Sequence, residues 1–386
     1  MCAVYAKEED WDKEGQENET AQEEEKMTEE ELSGLQAQVE KGILSELDME
    51  EIDAVLGDIF PEKKTSFLEV LQALLDGRET VSPEVFVDYL TDTLFYVVKE
   101  NRQVLLYLLL LIIVASVFSN FSNIFQNRQI AQIGFYMVYI LLITLCLHSF
   151  QITVDQVSES LTNLTVFMKV LGPAYFLSMA IATGSASSIA FYSLVIFLIY
   201  LVDLLILHVM LPLIHVCLMV QILNFLSDEE ILSKSSELLE TVIGWILKTL
   251  LACVTGVGIV QGLLGPAMDA VKRSAFTRGT QMIPGVGDII GGTGEVILGT
   301  AVLIKNGIGV AGAVFVTGIC LVPLMNMGIL TLMYRGMAAV IQPVSDKRIV
   351  EAVNSVGKGY QMLLRVVFTT GVLFLITIAV TAVSTT

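Results

Sequence analysis

The chain has 386 residues, of which 54% are apolar, and a net charge of −19; its mean hydropathy is +0.69. Such a composition excludes an ordinary soluble globule and points to an all-α, polytopic membrane protein. The charge is confined to one end: residues 1–102 hold 28 of the 41 acids against nine of the 22 bases, and the remainder is neutral, a balance that argues against nucleic acid as a partner.

Residues 1–31 are too charged and too poor in apolar side chains to fold, and read as a disordered acidic tail. Its first six residues, MCAVYA, end in a small-x-Ala triplet that either is the remnant of a secretory cleavage site or arises by chance. Residues 32–102 read as a soluble, amphipathic helical region. Thr28 and Glu31 form a capping box ahead of Leu32, Leu35, Val39, Ile43, Leu44 and Leu47 at helical spacing. A second helix follows Asp48 and ends at Pro61, a third runs from Ser66 to Gly77, and Ser82-Pro83 opens a fourth. This region is either a helical spacer or a surface that packs against a partner.

Residues 103–386 form the membrane domain. Apolar runs cover Val104 to Ser119, Ile130 to Phe150, Ala186 to Leu226, Val242 to Leu264, Val296 to Leu332 and Leu363 to Val383. About 20 apolar residues cross the hydrocarbon, and the pattern predicts about seven spans. Gln151 to Asn163 and Ser227 to Thr241 are acidic and suit loops outside the cell. The base-rich stretches Gly265 to Glu295 and Arg335 to Lys358 suit the cytoplasm, which puts the N-terminal region outside. Pro212 is expected to break the 186–226 run.

Two segments repeat in order. Val166-Phe167-Met168-Lys169 resembles Val302-Leu303-Ile304-Lys305, Ser227-Asp228 resembles Ser345-Asp346, and Leu247-Lys248 resembles Leu364-Arg365. The flanking charges are opposite, which suggests an inverted pair, as in many transporters. The amphipathic segment after each Ser-Asp suits the membrane interface.

Charges within apolar runs are costly and therefore candidate functional residues. Lys169 and Lys248, near run ends, are accounted for by snorkelling; Asp203 and Lys305 are not, and would relieve each other as an ion pair, as would Asp203 and Lys248. His208 and His215 share a helix face without a third metal ligand, so packing is favoured over a metal site. Residues 284–299 contain Gly285, Gly287, Gly291, Asp288 and Glu295, and read either as a broken or re-entrant element lining a polar cavity or as a cytoplasmic loop before a Gly-rich span. Gly285 to Asp288 also spells the G-x-G-D motif of intramembrane aspartyl proteases, with Asp203 as the other carboxylate, but the companion elements of that motif are missing. The five cysteines lie far apart, so neither a disulfide framework nor a zinc site is suggested, and no cofactor motif such as a Walker A is found.

The stretch GLLGPAMDAVKRSAFTRGTQMIPGVGDIIGGTGEVILGTAVLIKNGIGVAGA (Gly262 to Ala313), followed by Tyr334-Arg335 and AAVIQPVSDKRI from Ala338, resembles the stage III sporulation protein AE family. The resemblance runs from about Leu32 to the C-terminus. It implies a non-enzymatic membrane subunit of the channel or export apparatus between mother cell and forespore. Its implied partners are membrane lipid, a secretion-type ATPase, ring-forming proteins and further copies of itself. It implies no catalytic residues. The alternative from another class is a free-standing secondary transporter of a small solute.

Overall fold

The computed structural model describes residues 34–60, 66–76, 128–183, 185–225, 232–280 and 287–383, with scattered positions between 95 and 117; for 128–132, 183, 185–191, 194, 258, 261–280 and 287–297 it describes the backbone alone. The acidic tail with its Thr28–Glu31 box, the Ser82-Pro83 helix start, most of Val104 to Ser119, Ser227-Asp228 and Gly285 lie outside these residues.

Three short helices come first: α1 (34–46), α2 (Met49–Ile59) and α3 (Phe67–Leu75). Asp48 caps α2 by accepting the Glu51 N–H at 3.4 Å. The start of α3 is held by a residue of α2. Ser66 makes no cap of its own; Asp53, inside α2, accepts both the Ser66 hydroxyl and the Phe67 N–H. One carboxylate thus satisfies orphan donors of the next helix and fixes the α2–α3 corner. Ile52, Leu56, Phe67 and Leu71 are buried, and the partner they pack against is the membrane domain of the same chain. Phe67 stacks on Phe315 at 5.6 Å, a Cβ at Gly307 would lie 2.8 Å from Leu71, and α2 rests on the first long helix.

The membrane domain consists of α4 (Arg128–Thr183), α5 (Ser185–Val202), a π-helical segment Asp203–Met210, α6 (Leu211–Asn224), α7 (Ser233–Thr280), α8 (Gly287–Ile341) and α9 (Lys347–Val383). The fold is all-α, and among the described residues five helices are long and apolar enough to cross a membrane: Ile133–Ala182, Val195–Asn224, Ser233–Val257, Leu298–Ile341 and Lys347–Ala382.

Three sequence expectations are corrected. Gln151 to Asn163 is not a loop between two spans but the middle of α4, which accounts for part of the difference between seven spans and five. Val154, Val157, Leu161 and Leu164 are buried at helical spacing, while Ser160 and Thr162 bond back to the carbonyls of Gln156 and Ser158. Polar residues here mark an exposed face, not a turn. Second, Pro212 does not break its run. Pro212 has no N–H to give and crowds the preceding turn; the chain widens, the Leu211 N–H reaches back to the Ile206 carbonyl, and the helix continues through a π turn. Third, the amphipathic segment after Ser345-Asp346 does not lie on the interface. It is the first part of α9, and Ile349, Val353, Val356 and Tyr360 are all 0% exposed, packed inside the bundle. Asp346 caps this helix, accepting the Arg348 N–H at 2.9 Å.

α9 is the central helix, touching α4, α6, α7 and α8. The contacts Tyr334–Tyr360 and Lys305–Ala382 run in opposite senses along α8 and α9, so these two are antiparallel. Phe167–Phe315, Leu171 at Gly312 and Tyr175 at Gly309 make α4 antiparallel to α8 as well. Gly265 to Glu295 and Arg335 to Lys358 are therefore joined by one continuous rod. If α8 crosses the membrane once, they cannot both be cytoplasmic.

Ser158→Pro tests the continuity of α4. A proline in a helix interior costs about 3 kcal/mol or more, so the variant should melt well below the parent in detergent. Unchanged melting would restore the loop.

Candidate functional site

Lys305, singled out as an intramembrane charge, is 0% exposed. It projects from α8 onto the C-terminal end of α9, where its Nζ donates to the Ala382 carbonyl at 3.3 Å. The last carbonyls of a helix lack intrahelical partners and carry partial negative charge. A buried ammonium there is both hydrogen-bonded and electrostatically favoured. Among the described residues no ion pair joins Lys305 to Asp203.

Asp203 opens the π-helical segment and is half-buried. Its carbonyl oxygen lies 3.3 Å from Nδ1 of His208, whose ring folds back over the widened turn. Single π turns are frequent where helices are adapted for function, so the sequence signal at Asp203 coincides with the one backbone irregularity among the described long helices. Lys169 and Lys248 are exposed.

The backbone is helical from Gly287 onward, so Gly287, Asp288, Gly291 and Glu295 belong to the first turns of α8. Their side chains, and Gly285 entirely, lie outside the described residues, and with them the pairing of Asp288 with Asp203. Among the described residues no group of three or more His, Cys, Asp or Glu side chains converges on a metal position.

The structure adds a cluster that the sequence did not reveal. Tyr334 of α8 and Tyr360 of α9 are buried, with ring centroids 5.0 Å apart, and each hydroxyl lies 3.4 Å from Oγ of Ser149 on α4. Phe150 meets Tyr360 edge-on at 5.3 Å and His215 of α6 at 6.0 Å. Four helices thus converge on one polar-tipped aromatic layer. Close approach is possible because Gly359 lies beneath Phe150, where a Cβ would be 3.0 Å from the ring, and Gly357 lies against Arg335, 2.9 Å from its Cγ. Hydroxyls at 3.4 Å are weak bonds, so the layer acts mainly through packing. The only prior signal was the presence of tyrosines within otherwise apolar faces.

This assembly of long, mutually packed apolar helices defines a polytopic α-helical membrane protein. Comparison with known proteins gives its family. The sequence model of stage III sporulation protein AE (spore_III_AE) matches residues 65–385, which include every long helix, and the chain belongs to that family. It is 24% identical over 305 residues to the stage III sporulation protein AE of Bacillus subtilis (strain 168), covering 78% of this chain and 75% of the relative. No solved structure matches.

Two substitutions test the placement of the charges. Lys305→Glu, which sets an anion against the α9 carbonyls, should reduce membrane accumulation far more than Lys305→Met. Because Asp203 and Lys305 make no contact, the stability losses of Asp203→Asn and Lys305→Met should add to within about 0.5 kcal/mol in thermal unfolding. A larger coupling would reinstate the ion pair.

Proposed function

We propose that this chain is a non-enzymatic membrane subunit of the channel or export apparatus that joins mother cell and forespore and is needed for endospore development. The observation that carries the proposal is the family match across the whole helical bundle. The protein resides in the mother-cell membrane around the forespore. Its partners are the lipid, a secretion-type ATPase, ring-forming proteins and further copies of this chain. The α2–α3 corner packs beside the Lys305 end of α8, and the base-rich Arg335 to Lys358 stretch is at the other end. The positive-inside tendency then favours a cytoplasmic Arg335 end and an extracytoplasmic N-terminal region.

The antiparallel course of α4 and α8, which carry the two Val-x-x-Lys copies, is what a secondary transporter with inverted repeats would also display. Purification from sporulating cells separates the two functions. A subunit co-isolates with other membrane and ring proteins of the apparatus, whereas a transporter purifies alone and binds a small solute.

Topology is tested by Ser33→Cys and Gln342→Cys in a chain without native cysteines. An impermeant thiol reagent should label Ser33→Cys in intact cells with the outer layers removed, and Gln342→Cys only after permeabilisation. The reverse pattern would invert the protein.

A further inference from the structure

Two packed layers divide the bundle. The first is the Phe150, Tyr334, Tyr360 and His215 layer. The second is formed where Leu171 and Ile378 meet Gly312, with Tyr192 beside Gly172. By helical rise the layers are about 27 to 34 Å apart, close to the ~30 Å of a hydrocarbon core. Interpolating between these contacts puts Glu159 of α4, Val322 of α8, Phe368 of α9 and Leu204 of the π segment at one level. Three of the four flanks are apolar there: Phe368 is 59%, Leu204 44% and Val322 41% exposed.

The fourth flank is different. α4 shows outward Asp155, Gln156, Glu159, Thr162 and Lys169, all exposed, with Asp155, Glu159 and Thr162 recurring every three or four residues and Lys169 two turns further along the same face. Large apolar side chains interrupt it only towards its ends, at Ile152 and Val166. Glu159, midway between the layers, could not turn its carboxylate to acyl chains, since lipid offers no compensating partner; Asp155 lies nearer the first layer. The exposed Arg365 of α9 lies near the first layer, within snorkelling reach of the interface. A second observation concerns the same helix: the α2–α3 corner is seated on α4 and α8 next to the second layer, and it carries Glu50, Glu51, Asp58 and Glu69 on its exposed faces. An acidic helical pair of this kind needs water around it.

We propose that the outward strip of α4 from Gln151 to Lys169 faces water within the thickness of the membrane and forms one wall of an aqueous passage, while the α8, α9 and π-segment flanks at the same level face lipid. The proposal rests on the channel reading above and names the face that would line the conduit. Water is the occupant; a hydrated cargo passing the strip would meet carboxylates first and Lys169 towards the second layer.

The test uses the full chain in native membrane vesicles. Single cysteines at Glu159, Thr162, Val322 and Phe368 are compared for their rate of reaction with a charged, membrane-impermeant thiosulfonate, and for quenching of an attached fluorophore by nitroxide-labelled phospholipid. Gln156→Cys, on the same strip, serves if Glu159→Cys fails to accumulate. Expected are at least tenfold faster reaction at Glu159→Cys and Thr162→Cys, and lipid quenching confined to Val322→Cys and Phe368→Cys. Fast reaction at all four without quenching would put this level outside the bilayer, and quenching at all four would put the strip in lipid; either overturns the proposal. The readout is independent of partners. Purification without neighbouring proteins would sink the subunit function and leave the wet face standing, whereas uniform labelling would remove the face and leave the subunit.

Discussion

The bundle depends on how closely α9 can approach its neighbours. Gly357 and Gly359 let α8 and α4 come against it at the aromatic layer, and Gly371 does the same further along, where a Cβ would be 2.9 Å from Sγ of Cys320. In lipid there is no hydrophobic gain from bringing two apolar helices together, so association relies on close van der Waals contact and on small residues that permit it. α9 has those residues on faces turned to α8 and to α4. From that packing follow the burial of Tyr334 and Tyr360, the registration of Lys305 with the end of α9, and the seat for Phe67 and Leu71.

Several polar groups inside the bundle are satisfied locally, although the Tyr175 hydroxyl, Nδ1 of His215, Oε1 of Gln221 and Oδ1 of Asn326 are buried without a partner among the described residues. The hydroxyls of Thr370, Thr377 and Thr381 turn back onto the carbonyls of Val366, Leu373 and Thr377 within α9. Between α6 and α7, Gln221 is buried and donates to Glu240 at 2.5 Å, and the Asn224 side chain accepts the Leu232 N–H at 2.7 Å. Buried polar atoms are tolerated at low cost when each finds a partner within reach. Lys305 follows the same rule with a charge: it uses carbonyls that the helix end leaves over.

Much of this could be read from the residues. The membrane class, α2 from Asp48 and the helix after Ser345-Asp346 follow from composition, caps and 3.6-residue periodicity, and α3 from periodicity alone, all local properties. Helix lengths were less legible because composition reports exposure and not backbone path. In α4 a hydrophilic stretch reads as a loop by composition although Val154, Val157, Leu161 and Leu164 have helical spacing. At Pro212 the π turn is a response to strain for which no residue pattern is diagnostic. Lys305 was recognisable as unusual, but its partner is a backbone carbonyl 77 positions away, invisible to any motif. The aromatic layer at Tyr334 and Tyr360 exists only once four helices are assembled.

The repeat shows where sequence order and chemistry separate. Its two Val-x-x-Lys copies lie on antiparallel helices, the sense an inverted pair requires, yet Lys169 is exposed on the polar strip of α4 and Lys305 is wholly buried at the end of α9. In an alternating-access carrier the two halves exchange environments, so equivalent residues must be able to make each other's contacts in turn. For Lys305 to do so it would have to leave a desolvated site and give up its bond to the Ala382 carbonyl on the neighbouring helix, while Lys169 would have to leave its exposed position for a buried one. The antiparallel pair is therefore better suited to a fixed scaffold, with one lysine fastening two helices and the other turned to the polar face.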